Sequence, residues 1–378
     1  MKKRILFVLI SMNMGGTEKS LLHLMKKNQM EGHYVSVLLL KKEGALLSEI
    51  PKGVTVITFN DAALAEAILD GFDVHKMKQH FINRHFAKAF RTAWMTILQK
   101  MKLYSLMYVL LTRKIKSLPT VYDEAHAYAG PMYFISWFVQ HKTIASNKFQ
   151  WNHFDVRQLH LHVASFERIF NKFDFVYSVS SEAGASLQEV MPSLKNHKVN
   201  VNEINKAEIN SLSLQRPVFK SPFQLTLVTT GRLTPEKGAD LAIDTLKILK
   251  MNNVKAGWIW VGDGVLKPQI MKRIKAEGLE QEFILTGELI NPYSIMIQAD
   301  IYIQPSVHEG FCLTIAEAKA LNLPIIAVEN NGSRSQLTNK IGERLVSFSS
   351  KELAEAVIEH TRCTKELPPY NEFTNVLT

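Results

Sequence analysis

Cysteine is almost missing from this 378-residue chain, which has only Cys312 and Cys363. A disulfide framework is thereby excluded and a reducing compartment expected. Two distant cysteines also form no zinc constellation. The sequence contains no Asp-x-Asp, so the shortest carboxylate pairing that chelates a metal is absent, and no metal site is expected. Long apolar runs are missing too. A bilayer-spanning helix needs about 20 such residues, and Lys100 and Lys102 interrupt the longest candidate. The opening MKKRILFVLI puts cations before an apolar run, as a signal peptide does, but the run is six residues long with no small-residue cleavage site after it. It is expected to form the first buried strand. Acid is missing locally: residues 75–119 hold ten Lys or Arg and no Asp or Glu.

The length suits two domains, and 46% hydrophobic residues can give each a core. Short apolar runs alternate with helical spacing, which predicts an α/β class with parallel sheets. The expected division is an N-terminal domain at 1–204, a linker at 205–222 where periodicity fades into Asn, Ser and Pro, a second domain at 223–364, and a tail at 365–378 that packs back toward the first domain.

In the first half, residues 5–10 read as a strand, and Gly15 and Gly16 follow in a loop, with Thr17 as the expected cap of the next helix. These glycines do not spell G-x-G-x-x-G, so an NAD-type site is not expected. Within the basic segment, Phe81, Phe86, Phe90, Trp94, Ile97, Leu98 and Met101 recur at helical spacing. A helix with one aromatic and one basic face suits an anionic membrane interface. If half of the ten cations reach it at roughly 1 kcal/mol each, the attraction is about 5 kcal/mol, enough for reversible attachment. The plainer alternative is a helix pair whose aromatics are core and whose cations are solvated. Nucleic acid is not expected as a partner, because no recognisable module accompanies the charge. His153 ends a predicted strand, where open parallel sheets bind ligands.

In the second half, the loop after the strand at 225–230 carries Gly231, Arg232, Lys237 and Gly238. Two cations in one loop suit a departing phosphate. Gly262, Asp263 and Gly264 form a further turn, and Gly287 ends a strand at 283–286. Residues 305–323, PSVHEGFCLTIAEAKALNL, place Glu309 in a strand-to-helix loop and Glu317 eight residues on. Gly310 allows close backbone approach, and a helix starting near Phe311 would offer free amides to an anion. Hydroxyl-binding carboxylates beside an anion site suggest a sugar nucleotide.

His308, Glu309, Gly310 and Phe311 with Glu317 resemble the E-x7-E motif of retaining family 4 glycosyltransferases, and the Arg232 and Lys237 loop, the turn at Gly262 and the strand ending at Gly287 follow in that family's order. The resemblance is close over residues 225–346 and loose before them. It implies a GT-B fold, two Rossmann-like domains with parallel sheets facing a central cleft. It further implies that Glu309 bonds sugar hydroxyls, that Glu317 holds the ribose, and that Arg232 and Lys237 stabilise the leaving diphosphate. His153 would act from the cleft. Gly15, Gly16, Gly231, Gly262, Gly287, Gly310, Phe311 and Thr314 would complete the donor site. No cofactor or metal is implied beyond the nucleotide diphosphate sugar itself. The expected acceptor is a glycan or lipid-linked saccharide of cell-surface polysaccharide synthesis, reached from the cytoplasmic face of the membrane. Asn322, Leu323 and Pro324 depart from the family's usual Gly-x-Pro, and Asn330, Asn331, Gly332 and Ser333 from its glycine-rich loop. A GT-B chain serving as a non-catalytic binding partner, an epimerase and a phosphorylase remain open at this point.

Overall fold

In this computed structural model, which describes residues 1–70, 86–159, 161–217 and 219–366, short apolar runs become strands covered on both faces. β1 (Arg4–Leu9), β2 (Tyr34–Leu39), β3 (Thr55–Thr58), β4 (Val121–Ala127), β5 (Ile144–Asn152), β6 (Phe175–Ser178) and β7 (His197–Val199) form one sheet. β8 (Leu225–Thr230), β9 (Ala256–Val261), β10 (Phe283–Gly287), β11 (Ile301–Gln304), β12 (Ile325–Val328) and β13 (Glu343–Val346) form the other. All named strand pairs are parallel. Every residue of β9, β11 and β12 is buried, as expected of strands with helices on both faces.

The strand orders are β3-β2-β1-β4-β5-β6-β7 and β10-β9-β8-β11-β12-β13. Both are Rossmann orders, winding outward in opposite directions from a central pair. The reversal lies between β1 and β4 in the first sheet and between β8 and β11 in the second. Loops leaving such a pair at its C-terminal end diverge and open a crevice, the usual ligand position in these sheets.

The chain divides into two compact units, Met1–Glu203 and the part from Ile204 onward. The first unit's core gathers Leu6, Val8, Phe134, Trp137, Phe138 and Phe170. Its first helix, Gly16–Met30, starts without a side-chain cap: Gly15 occupies the capping position and Thr17 already lies in the first turn, against expectation. By contrast, Ser180 caps the helix Ser181–Val190 by accepting a bond from the Ala183 amide.

The helix Phe86–Lys100 and its successor Tyr104–Leu111 bury Met95, Leu98, Met107 and Tyr108 in that core. Phe86, Phe90, Trp94, Ile97 and Met101 point the other way, between 47% and 75% exposed. The reading that these aromatics are core therefore fails, because the inner face is supplied by the residues between them. Leu98 alone of the described positions in that series turns inward, while Phe81 and the start of the basic segment lie outside the described residues.

The second unit packs Leu227, Trp258, Trp260, Ile301 and Ile303 with the helix Ala239–Met251. Trp258 and Trp260 are fully buried on one face of β9, and each indole N–H has an acceptor: Thr229 Oγ1 at 3.1 Å and the Gly231 carbonyl at 2.8 Å. Burying each ring stabilises the fold by about 2 to 3 kcal/mol.

The stretch expected to be linker is partly ordered. Asn205 accepts the Glu208 amide and starts a helix, Lys206–Ser213, whose Ile209 is buried in this unit. Asn and Ser suggested a loop in the sequence, yet the same side chains cap helices. At the other end the helix Ser350–Glu366 occupies the start of the expected tail, and the tail residues 367–378 lie outside the described residues.

Candidate functional site

β8 and β11 are neighbours in register, Leu227 beside Ile301 and Val228 beside Tyr302. The loop after β8 ends in a single 3-10 turn, Pro235–Lys237, and then Gly238. Gly238 sits at φ +76°, and a Cβ there would lie 2.2 Å from the Pro305 carbonyl oxygen. Only glycine lets the two loops meet backbone to backbone. The Val307 amide donates to the Glu236 carbonyl at 2.9 Å and fixes that contact.

This clamping brings together two residues far apart in sequence. Lys237 Nζ donates to Glu309 Oε1 at 2.6 Å, with both side chains mostly buried. Burial alone lowers an ammonium pKa, but the Glu309 carboxylate outweighs it and Lys237 stays above the usual lysine value. The same Oε1 also accepts from Gln304 Nε2 at 3.2 Å. Glu309 Oε2 has no hydrogen-bond partner among the described residues, and Lys237 keeps two further N–H bonds for another acceptor. Gly332 lets the short helix Asn331–Arg334 pack closely on Glu309, since a Cβ there would come within 2.7 Å of Glu309 Cβ.

The helix after this loop starts later than expected, at Leu313, because Cys312 in a left-handed conformation (φ 59°) turns the chain at the capping position. The Phe311 and Cys312 carbonyls both accept from Gln336 Nε2. Thr314, in the first turn, donates to Gln304 Oε1 at 2.9 Å. Glu317 lies one turn on, 3% exposed, and accepts from the Tyr293 hydroxyl at 2.9 Å. Burial, then the Glu317 charge, push that phenol's pKa far up, so it remains a donor.

Other expected site residues surround this centre. Gly231 carries the carbonyl that Trp260 holds, while Arg232 is 59% exposed and has a 3.7 Å ion pair with Glu236. Gly262 and Gly287 bridge at the ends of β9 and β10, with a 2.9 Å bond from the Gly262 amide to the Gly287 carbonyl. Asp263 accepts the Gly264 amide and pairs with Lys267. Gly310 directly follows Glu309 in the β11 loop.

In the first unit, Gly15 and Gly16 begin the helix after β1. His153 follows β5 at the same end of its sheet, only 7% exposed and packed on Tyr128 at 4.7 Å between ring centres. Burial pulls its pKa down to about 4, so the ring is neutral near pH 7. Its Nε2 has no hydrogen-bond partner among the described residues. These first-unit positions and the Lys237 and Glu309 pair belong to separate units.

Sequence reasoning missed Gln304 and Tyr293. Gln304 left a signal, a polar side chain closing an otherwise apolar strand run. Tyr293 left little, since its role depends on the short helix Tyr293–Met296 packing near Glu317.

Residues 215–370 match the family described as glycosyl transferases group 1. An uncharacterized glycosyltransferase of Methanocaldococcus jannaschii is 28% identical over 174 residues, 44% of this chain and 42% of that protein. The O-antigen biosynthesis glycosyltransferase WclY of Escherichia coli is 37% identical over 96 residues, 25% of this chain and 26% of its own. The chain thus spans less than half the length of either relative. Among solved structures, Anabaena HepE in complex with UDP superimposes with a TM-score of 0.62 at 19% identity, over 97% of this chain and 91% of HepE. The fold is GT-B, with two parallel-sheet α/β domains, and the second domain carries the group 1 glycosyltransferase match.

Proposed function

We propose that this chain, built on the GT-B fold with a group 1 glycosyltransferase domain, is a retaining glycosyltransferase of the family 4 type. It moves a sugar from a nucleoside diphosphate sugar to a glycan or lipid-linked acceptor, without a metal, in the synthesis of a cell-surface polysaccharide. One observation carries the reading: the 2.6 Å Lys237 to Glu309 contact at the topological switch point of the matched domain. A cation for a phosphate and a carboxylate for hydroxyls stand side by side where such sheets bind ligands.

In this reading Glu309 Oε2 receives a donor sugar hydroxyl and Glu317, oriented by Tyr293, receives the ribose. The bond between the anomeric carbon and the diphosphate oxygen breaks, and its electron pair stays on that oxygen. Lys237, through its spare N–H bonds, and the exposed Arg232 offset the new charge. The acceptor hydroxyl adds on the face the diphosphate leaves, and its proton passes to the diphosphate, which preserves anomeric configuration. His153, neutral and with an Nε2 that has no hydrogen-bond partner among the described residues, is the first domain's candidate for bonding an acceptor hydroxyl. Gly231, Gly262, Gly287, Gly310, Phe311 and Thr314 complete the donor site within the second domain.

The acceptor reading draws support from the helix Phe86–Lys100. Its exposed apolar residues recur at spacings of three and four and form one stripe, and exposed Lys100, Lys102, Arg113, Lys114 and Lys116 follow along the chain. Such a surface suits the anionic cytoplasmic face of a membrane and a lipid-linked acceptor held there. Among the described residues no helix is long and apolar enough to cross a membrane. Incubation with UDP-, GDP- and ADP-sugars and a panel of lipid-linked acceptors, with release of nucleoside diphosphate followed, tests the proposal. Product with inverted anomeric configuration would refute the retaining assignment, and phosphate-dependent turnover would indicate a phosphorylase instead.

A further inference from the structure

Gln304 closes β11 with its side chain 1% exposed and every hydrogen-bonding position of its amide filled. Oε1 accepts from the Tyr302 hydroxyl at 2.7 Å and from Thr314 Oγ1 at 2.9 Å. Nε2 donates to Ser306 Oγ at 2.7 Å and to Glu309 Oε1 at 3.2 Å. Three of these partners are hydroxyls, which can donate or accept, so they do not fix which way the amide faces. The fourth is a carboxylate, which only accepts. A reversed amide would set oxygen against oxygen, so Glu309 dictates the orientation and the two hydroxyls on Oε1 lock it.

We propose that Gln304 is the positioning residue for Glu309: with Lys237 it fastens Oε1 from two directions and so aims Oε2 at the donor sugar. The inference rests on the donor-site reading above. Lys237 must share its N–H bonds with an arriving diphosphate, whereas the Gln304 amide is walled in and continues to hold the carboxylate throughout. Sugar recognition therefore depends on a side chain that touches no sugar. The titratable groups facing the amide are Glu309 and Lys237, with Tyr302 beneath it and Cys312 Sγ 3.4 Å from Thr314 Oγ1. Burial keeps both the Tyr302 phenol and the Cys312 thiol protonated.

Gln304→Glu keeps the two acceptor contacts and removes the donors. At about pH 8 the introduced carboxylate repels Glu309, and at about pH 5.5 a proton shared between the two restores a donor. Calorimetry with a nucleoside diphosphate sugar and with the free nucleoside diphosphate isolates the sugar's share of the affinity. At the higher pH the variant is expected to lose that share by about tenfold or more, to bind the free diphosphate within about twofold of wild type, and to recover at the lower pH. An unchanged preference at both values overturns the proposal. A crystal structure of the variant at the higher pH gives a ligand-free reading: Glu309 turned away from its wild-type place supports positioning, and Glu309 in place refutes it. That separates the two claims, since a wild type that binds no sugar nucleotide sinks the donor reading alone. Should the variant not fold, Tyr302→Phe takes its place, because it removes a buried donor to Gln304 Oε1 at a residue outside the donor site. A weakened sugar preference with free diphosphate binding within about twofold of wild type supports the lock, and an unchanged preference contradicts it.

Discussion

Lys237 Nζ and Glu309 Oε1 stand 2.6 Å apart across two loops that follow non-consecutive strands of the second sheet. Each neutralises the other in a mostly buried place, so neither can be removed alone without leaving a largely desolvated charge without its partner. Lys237→Met and Glu309→Met are each expected to destabilise the second domain by about 2 to 4 kcal/mol. The double variant should fall short of the summed loss by about 1 to 3 kcal/mol, because the orphaned charge disappears with its partner. Urea denaturation of the four proteins measures this coupling, and strict additivity would mean that the two charges do not interact in solution.

Arg232 contrasts with Lys237. Its 3.7 Å pair with Glu236 is exposed and contributes little to stability. Arg232→Ala is expected to unfold within about 0.5 kcal/mol of wild type. Its turnover should nonetheless fall roughly 100-fold if the guanidinium meets charge developing on the diphosphate. Equal activity in the two proteins would remove Arg232 from the mechanism.

His153 supplies a pH signature. Its pKa falls from 6.5 to about 4 on folding. The unfolded chain therefore binds more protons in that window, and the ring's contribution is complete above pH 6.5 and lost as pH falls through 6.5 toward 4. The loss amounts to about 3 kcal/mol at most. Burial lowers the pKa of His126 and His197 as well, so acid destabilises wild type through several rings. Stability curves measured from about pH 7.5 down to 4.5 should be shallower for His153→Asn than for wild type. Parallel curves would show that the ring is not buried neutral.

The exposed stripe on the helix Phe86–Lys100 can be altered without touching the core. Phe90 is 75% and Trp94 47% exposed. Changing both to Ser should leave stability almost unchanged but weaken flotation with anionic vesicles by at least about tenfold. Binding should also fall with added salt and with neutral lipid. Flotation indifferent to lipid charge and to these substitutions would dismiss the membrane surface.

Much of this architecture was legible because parallel strands buried on both faces leave continuous apolar runs, as in residues 5–10 and 256–261. The loop residues Arg232, Lys237 and Glu309 were readable because glycines beside them mark where backbones approach. The helix Lys206–Ser213 was obscured by capping residues that also form loops, and the shift of the next helix start to Leu313 by a non-glycine residue, Cys312, adopting a left-handed turn. The partnership of Gln304 with Glu309 and of Tyr293 with Glu317 arises only from tertiary packing, which spacing along the chain does not encode. The outward turn of Phe90 and Trp94 was open for a related reason: helical spacing shows that residues share a face and not what covers it.

The central claim is that Lys237 grips phosphate while Glu309 reads sugar, and titration calorimetry of wild type, Lys237→Ala and Glu309→Gln tests it most directly. The account predicts that wild type binds one of the UDP-, GDP- or ADP-sugars. The lysine variant should lose about tenfold or more in affinity for both that donor and the free nucleoside diphosphate, and the glutamate variant for the donor only. Equal losses on both ligands for the two variants, or no binding of any sugar nucleotide by wild type, would contradict it.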